Sequence, residues 1–379
     1  MELSQRVSEV FSERFGGHGT AFASAGRINL IGEHTDYNGG FVFPGAIDKA
    51  IVAEIRPYGG ETVRVFSIDC NEFAEFGIEE KDKPAQPWAR YIFGVCREII
   101  KAGGLIGGFD AVFAGDIPLG AGLSSSAALE SCFAFALNEL FNGGSIDKFK
   151  LALIGQATEH NYCGVNCGIM DQFASVFGRK DNLMRLDCRS LEYEYFPFKP
   201  VGYSLLLIDS LVKHQLSDSP YNKRRESCER VSARLGIDTL RDATMEMLDA
   251  VKDDISDEDY RRARFVIGEK ERVLDVCDAL GAGDYERVGR DMYATHEGLS
   301  RDYEVSCEEL DFLNDLARES GVTGSRIMGG GFGGCTINLI SDDLVDSFKD
   351  TVRARYSARY GFEPKFYDVV ISDGARRLD

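Results

Sequence analysis

A single tryptophan, five histidines and the absence of long apolar runs set the first limits on this 379-residue chain. No stretch approaches the ~20 consecutive apolar residues that a membrane span needs. Even Tyr203–Val212 is short and contains Asp209, so it reads as a buried strand. Positive charge is also scarce. Lys and Arg number 43 against 62 Asp and Glu, a formal net charge of -19. A field of that sign repels nucleic acid and anionic membrane, and neither is expected as a partner. Two familiar phosphate-binding patterns are missing as well. No G-x-x-x-x-G-K-[ST] occurs, and neither do H-R-D and D-F-G. The run at Gly120–Ser125 superficially resembles G-x-G-x-x-G. It lacks the third glycine and follows Ile117-Pro118 where a central strand is expected.

Cysteine, by contrast, is plentiful. Ten are scattered along the chain with no basic-apolar leader ahead of them. That pattern suits reduced thiols and a cytoplasmic location rather than a disulfide framework. The hydrophobic share of 44% and the charged share of 28% are those of a globular chain. Its length suits two domains at ~150 residues each.

The pattern predicts helices over 1–15, 125–141, 148–162, 170–177, 221–235, 261–280 and 307–320. Strands are expected at 46–56, 62–68, 107–114, 183–186, 204–209 and 336–340. Asp253–Asp259 (DDISDED) reads as an acidic, solvated turn without a partner. Strands and helices mix in both halves without an internal repeat, which indicates an α+β architecture. The expected domains are 1–180 and 181–379, with Lys365–Ile371 a candidate to return to the first.

Three segments carry chemistry. In Gly115–Glu130 (GDIPLGAGLSSSAALE), Gly120, Ala121, Gly122 and Leu123 bring backbone to Ser124, Ser125 and Ser126 at a predicted helix start. Free N–H groups and the helix dipole make an anion site there. A serine N-cap on a core helix is the plainer alternative. An acidic chain that binds phosphate needs such local devices. In Ala25–Gly40, Arg27, Glu33, His34, Asp36, Tyr37 and Asn38 crowd among glycines. This density suits recognition of a polyhydroxylated ligand, against the alternative of a polar turn. In Glu159–Phe177, Asp171 opens a helix, where spacing alone favours a simple cap. His160, Cys163 and Cys167 match no usual zinc spacing. The glycine cluster Gly329–Gly334 either touches phosphate or lets backbone pack against the serine loop; packing is the preferred reading.

Together these segments resemble the galactokinase branch of the GHMP kinase family. GRINLIGEHTDYNGG (Gly26–Gly40) resembles its signature, DIPLGAGLSSSAALE (Asp116–Glu130) its phosphate loop, and GSRIMGGGFGGCT (Gly324–Thr336) its third motif. CGIMDQFAS, LDCRSLE, SPYNKRRESCE (Ser219–Glu229) and SRDYEVSCEELD lie between them in the expected order. The resemblance implies a two-domain GHMP-kinase fold with the site between domains. It implies transfer of the ATP γ-phosphate to C1 of galactose, with ATP and Mg²⁺ required. Asp171 falls on the catalytic carboxylate and Arg27 on the arginine beside it. Glu33, His34, Asp36, Gly168, Asp171 and Tyr221 fall on sugar positions, and Gly120–Ser126 on the phosphate loop. Ser126 and Glu159 fall on the Mg²⁺ positions, with Ser67 and Trp88 near the nucleotide. A monomer with small-molecule sugar and ATP as its partners is expected. Ala25 replaces a proline found in many members, which alters no reacting group. Sister sugar 1-kinases share the motifs, whereas a non-catalytic galactose sensor, the alternative from another class, lacks part of the phosphate loop after its serines. The uninterrupted Ser124–Leu129 run and Asp171 favour an active enzyme.

Overall fold

The computed structural model describes residues 2–118, 120–212 and 220–378. Leu119 of the serine loop and Ser219 of the SPYNKRRESCE motif lie outside the described residues. The strand Thr20–Asn29 pairs antiparallel with Pro44–Pro57, which pairs with Phe109–Gly115. Thr62–Ser67 then joins Phe109–Gly115 in parallel, and Glu72–Gly77 forms the edge. Side chains alternate across such a sheet. Phe22, Ala53 and Phe113 therefore enter the main core, while Ala23, Val52 and Val112 face the helix Leu3–Phe15 through Val7 and Phe11. Ser125–Asn142 is buried on most faces, as its composition predicts, and ends at Gly143 with φ 57°.

A second sheet orders Gly324–Ile327, Cys335–Ser341, Tyr203–Asp209 and Lys365–Val369, all antiparallel. Its Leu206, Ile208 and Ile340 pack on Phe348 and Val352 of the helix Val345–Tyr360. Leu205, Leu207, Ile337 and Leu339 on the opposite face belong to the same core as the first sheet. One apolar core thus runs through both halves, which fixes the cleft between them. Small antiparallel pairings reinforce this: Phe41–Val42 pairs with Asn182–Asp187, across the expected boundary at 180.

Two expectations are corrected. Lys365–Val369 stays in the second sheet. Only the end of the expected segment returns to the first sheet, with Ile371 bridging Ile47, and Arg376–Arg377 beyond it pair with Phe22 and Ala23. Asp253–Asp259 is not a partnerless turn. Ser256 caps the helix Asp257–Gly281 by accepting from the Asp259 amide, and Asp259 accepts from Arg230 and Ser227. All ten cysteines are free thiols. Among the described residues no helix is long and apolar enough to cross a membrane.

Candidate active site

The register between Thr20–Asn29 and Pro44–Pro57 slips between Ala25 and Arg27. A bulge of this kind re-aims a side chain. A Cβ on Gly26 would lie 2.7 Å from the Leu123 carbonyl oxygen, so glycine lets the strand press against the serine loop. Arg27 then serves three partners. Its amide donates to the Leu123 carbonyl at 3.1 Å, and Nη1 donates to the Gly122 carbonyl at 2.5 Å. Nε and Nη2 donate to the two oxygens of Asp171 at 2.8 and 2.9 Å, a bidentate pair. Asp171 sits in the first turn of Met170–Phe177. Its carboxylate also accepts from the Ser124 hydroxyl. Ser124 precedes the helix Ser125–Asn142 but makes no side-chain cap bond, so the simple N-cap reading of this serine does not hold.

The polyol-like segment leaves the strand at Asn29. Glu33 is buried and accepts from Arg326 Nη1 at 3.1 Å and from the Gly329 amide at 2.9 Å. Arg326 is itself fully buried, and it donates to the Leu30 and Asn29 carbonyls as well. His34 adopts φ 62° and pairs through Nδ1 with the Tyr37 hydroxyl at 2.8 Å; that hydroxyl meets Tyr303 at 2.7 Å. Its Nε2 is buried with no hydrogen-bond partner of good geometry among the described residues. Burial, then the Arg224 charge, pushes the imidazole down to about 3, so it is neutral at physiological pH. Burial and the Asp171 charge push Asp36 up to about 7. A Cβ on Gly168 would fall 1.9 Å from Asp36 Oδ2, so glycine at 168 makes room for that carboxyl. The Tyr221 ring lies 5.5 Å from His34.

On the other side the serine loop rests on the glycine cluster. A Cβ on Gly122 would come 3.1 Å from the Met328 carbonyl, and one on Gly329 would come 3.3 Å from that of Gly122. Both have positive φ. The packing reading of Gly329–Gly334 therefore has direct geometric support. The helix Lys148–Thr158 widens into a π-turn at Glu159–Cys163, a distortion common at functional sites. Glu159 at its start is hydrogen-bonded to Ser126, and burial pushes its carboxyl up to about 7.

A cavity of about 470 Å³ gathers these groups. Arg27, Glu33, His34, Asp36, Gly168, Asp171 and Tyr221 line it, together with Gly120, Gly122–Ser126 and Glu159. Ala121 is buried behind the loop. Ser67 is not among the lining residues; its hydroxyl accepts from the Cys70 amide at 3.3 Å. Trp88 donates to Glu72 and packs on Phe113. Sequence reasoning missed Arg326, whose only signal is a charge inside an apolar strand next to the glycines. It also missed the buried Glu130, which accepts from Gln172 at 3.2 Å. Among the described residues no three His, Cys, Asp or Glu converge as a metal cluster.

Known proteins resemble this chain along most of its length. A family model for the galactokinase galactose-binding signature matches residues 9–57. Models for the GHMP kinases N terminal domain and GHMP kinases C terminal match residues 90–179 and 277–358. The chain is 41% identical to a galactokinase of Thermotoga maritima, over 93% of this chain and 98% of that one. It is 39% identical to a galactokinase of Clostridium acetobutylicum over the full length of both. The crystal structure of Lactococcus lactis galactokinase complexed with galactose superposes with a TM-score of 0.92 at 35% identity, covering 98% of each chain. Methanococcus jannaschii mevalonate kinase shares the fold alone, with a TM-score of 0.66 at 15% identity over 95% of this chain and 100% of that one. With relatives this similar along nearly its whole length, the chain belongs to the galactokinases of the GHMP kinase family.

Proposed function

We propose that the chain transfers the γ-phosphoryl group of ATP to the C1 hydroxyl of D-galactose, giving galactose 1-phosphate and ADP. The observation that carries this reading is the position of the Arg27–Asp171 pair. It stands between Glu33, His34, Asp36 and Tyr221 on one side of the cavity and Gly120–Ser126 on the other. A sugar on the first side and a triphosphate on the second would meet at Asp171. As the C1 oxygen forms its bond to the γ-phosphorus, the hydroxyl proton passes to Asp171 and the bond to the β-phosphate oxygen breaks. Arg27 orients the carboxylate through its two hydrogen bonds and offsets the charge on the moving phosphoryl group. His34, held neutral, offers Nε2 to a sugar hydroxyl without bringing a competing charge. Asp36 and Glu33 offer oxygen acceptors to the remaining hydroxyls.

Ser126 and Glu159 fit a Mg²⁺ ion. A buried carboxyl beside a hydroxyl supplies few protein ligands, as suits an ion that keeps waters and substrate phosphates around it. When bound, the ion neutralises charge on the β/γ oxygens.

The test is a coupled assay of ADP release with ATP, Mg²⁺ and a panel of sugars, and NMR of the product. Galactose-dependent ADP release with phosphate on O1 is expected. Phosphate on another oxygen, or ADP release indifferent to galactose, would overturn the proposal.

A further inference from the structure

The three serines of the phosphate loop do not point alike. Ser124 adopts φ 57° and ψ 54°, a left-handed backbone that a non-glycine residue rarely takes and that tends to persist at functional sites. Its hydroxyl turns away from the helix start and donates to Asp171 Oδ2. That oxygen already accepts from Arg27 Nη2, whereas Oδ1 accepts from Arg27 Nε alone among the described residues. A carboxylate oxygen offers about two lone pairs. Oδ2 is therefore filled, and Oδ1 keeps one acceptor site on a residue that lines the cavity.

We propose that Ser124 is a positioning residue for Asp171 rather than a phosphate ligand: it occupies Oδ2 and leaves Oδ1 as the oxygen that receives the sugar's C1 hydroxyl. This rests on the reading of Asp171 given above. The loop around Ser124 is built for the task. Gly122 and Leu123 accept from Arg27 through their carbonyls, so three successive residues grip the Arg27–Asp171 pair. Ser125 and Ser126 remain for phosphate and cation. The carboxylate is thus registered against the same backbone that receives the triphosphate.

Ser124→Ala and Ser124→Gly test the proposal together. Glycine accepts the left-handed backbone without penalty, so a loss shared by both variants belongs to the hydroxyl. Both should lose about 10- to 100-fold in kcat, the scale of a misplaced reacting group. KM for galactose and for ATP should stay within about 3-fold, and calorimetric galactose binding should persist. Full kcat in either variant overturns the proposal. So does a raised KM for ATP with kcat intact, the behaviour of a phosphate ligand. A crystal structure with galactose and a non-hydrolysable ATP analogue should place the C1 oxygen on Oδ1. Contact at Oδ2 with Ser124 turned to phosphate is the contrary result. A wild-type chain that releases no ADP on galactose would overturn the activity itself, a failure separate from that of active wild type with active variants.

Discussion

The two walls of the cavity are held by opposite means. The polyol side is fixed by side chains: Glu33 is pinned by buried Arg326, and Gly32 donates its amide to buried Glu269 at 2.8 Å. The phosphate side is fixed by missing side chains, where Gly122, Gly329 and Gly334 let two backbone segments touch. A wall built from charges fails when one charge is left alone. A wall built from bare backbone fails when atoms are added. The Arg27–Asp171 pair is the seam between them.

The largest effect should come from cutting that seam. Asp171→Asn should lower kcat roughly 10²–10⁴-fold. Calorimetric galactose binding should survive, because Glu33, His34, Asp36 and Tyr221 remain; retained turnover would reject the assignment. Next comes the charged wall. Arg326→Met leaves Glu33 buried without its partner and should destabilise the fold by about 3–5 kcal/mol in denaturant unfolding. Adding Glu33→Gln should restore part of that stability but not galactose affinity. A single variant as stable as wild type would remove the contrast between the walls.

The glycine cluster that supports the backbone wall should respond more mildly. Gly331 has φ +78°, and a Cβ there would lie 2.3 Å from the Val305 carbonyl, whereas Gly143 has φ +57° and open space around it. Gly331→Ala should cost about 1–3 kcal/mol more than Gly143→Ala, since only the former adds a clash to the shared backbone strain. Equal losses would show that packing contributes nothing. The smallest effect is a pH slope. Asp36 is raised from 3.8 to about 7, so the folded chain holds a proton there that the unfolded chain releases near pH 4. The group's stabilising contribution is complete below pH 4 and is lost as pH rises through 7. Asp36→Asn should therefore gain roughly 2–4 °C in Tm over wild type at pH 8, a gap that closes toward pH 4. A gap independent of pH would refute the buried-acid account.

Legibility followed the same division. Glycine-and-serine runs announce a backbone site, so Gly120–Ser126 is readable from the order of its residues alone. Polar density does the same for Glu33, His34 and Asp36. Partnerships across the chain are not readable in this way, because nothing local says that Arg326 reaches Glu33 or that Ser124 turns to Asp171. The helix Pro87–Lys101 escapes notice for a related reason. Gly94 interrupts its pattern, yet a Cβ there would strike Thr158 at 2.5 Å, so a locally unfavourable residue serves a distant contact. Individual motifs indicate only phosphate and polyol binding; their order along the chain indicates the family.

The pairing of Phe22 with Arg377 also orders events in time. The strand that carries Arg27 emerges early in synthesis, but one of its edges stays open until residues 376–377 arrive. Pairing so distant in sequence is slow to form, and an unpaired edge invites wrong partners meanwhile. The half of the molecule that is made first is thus among the last to be sealed.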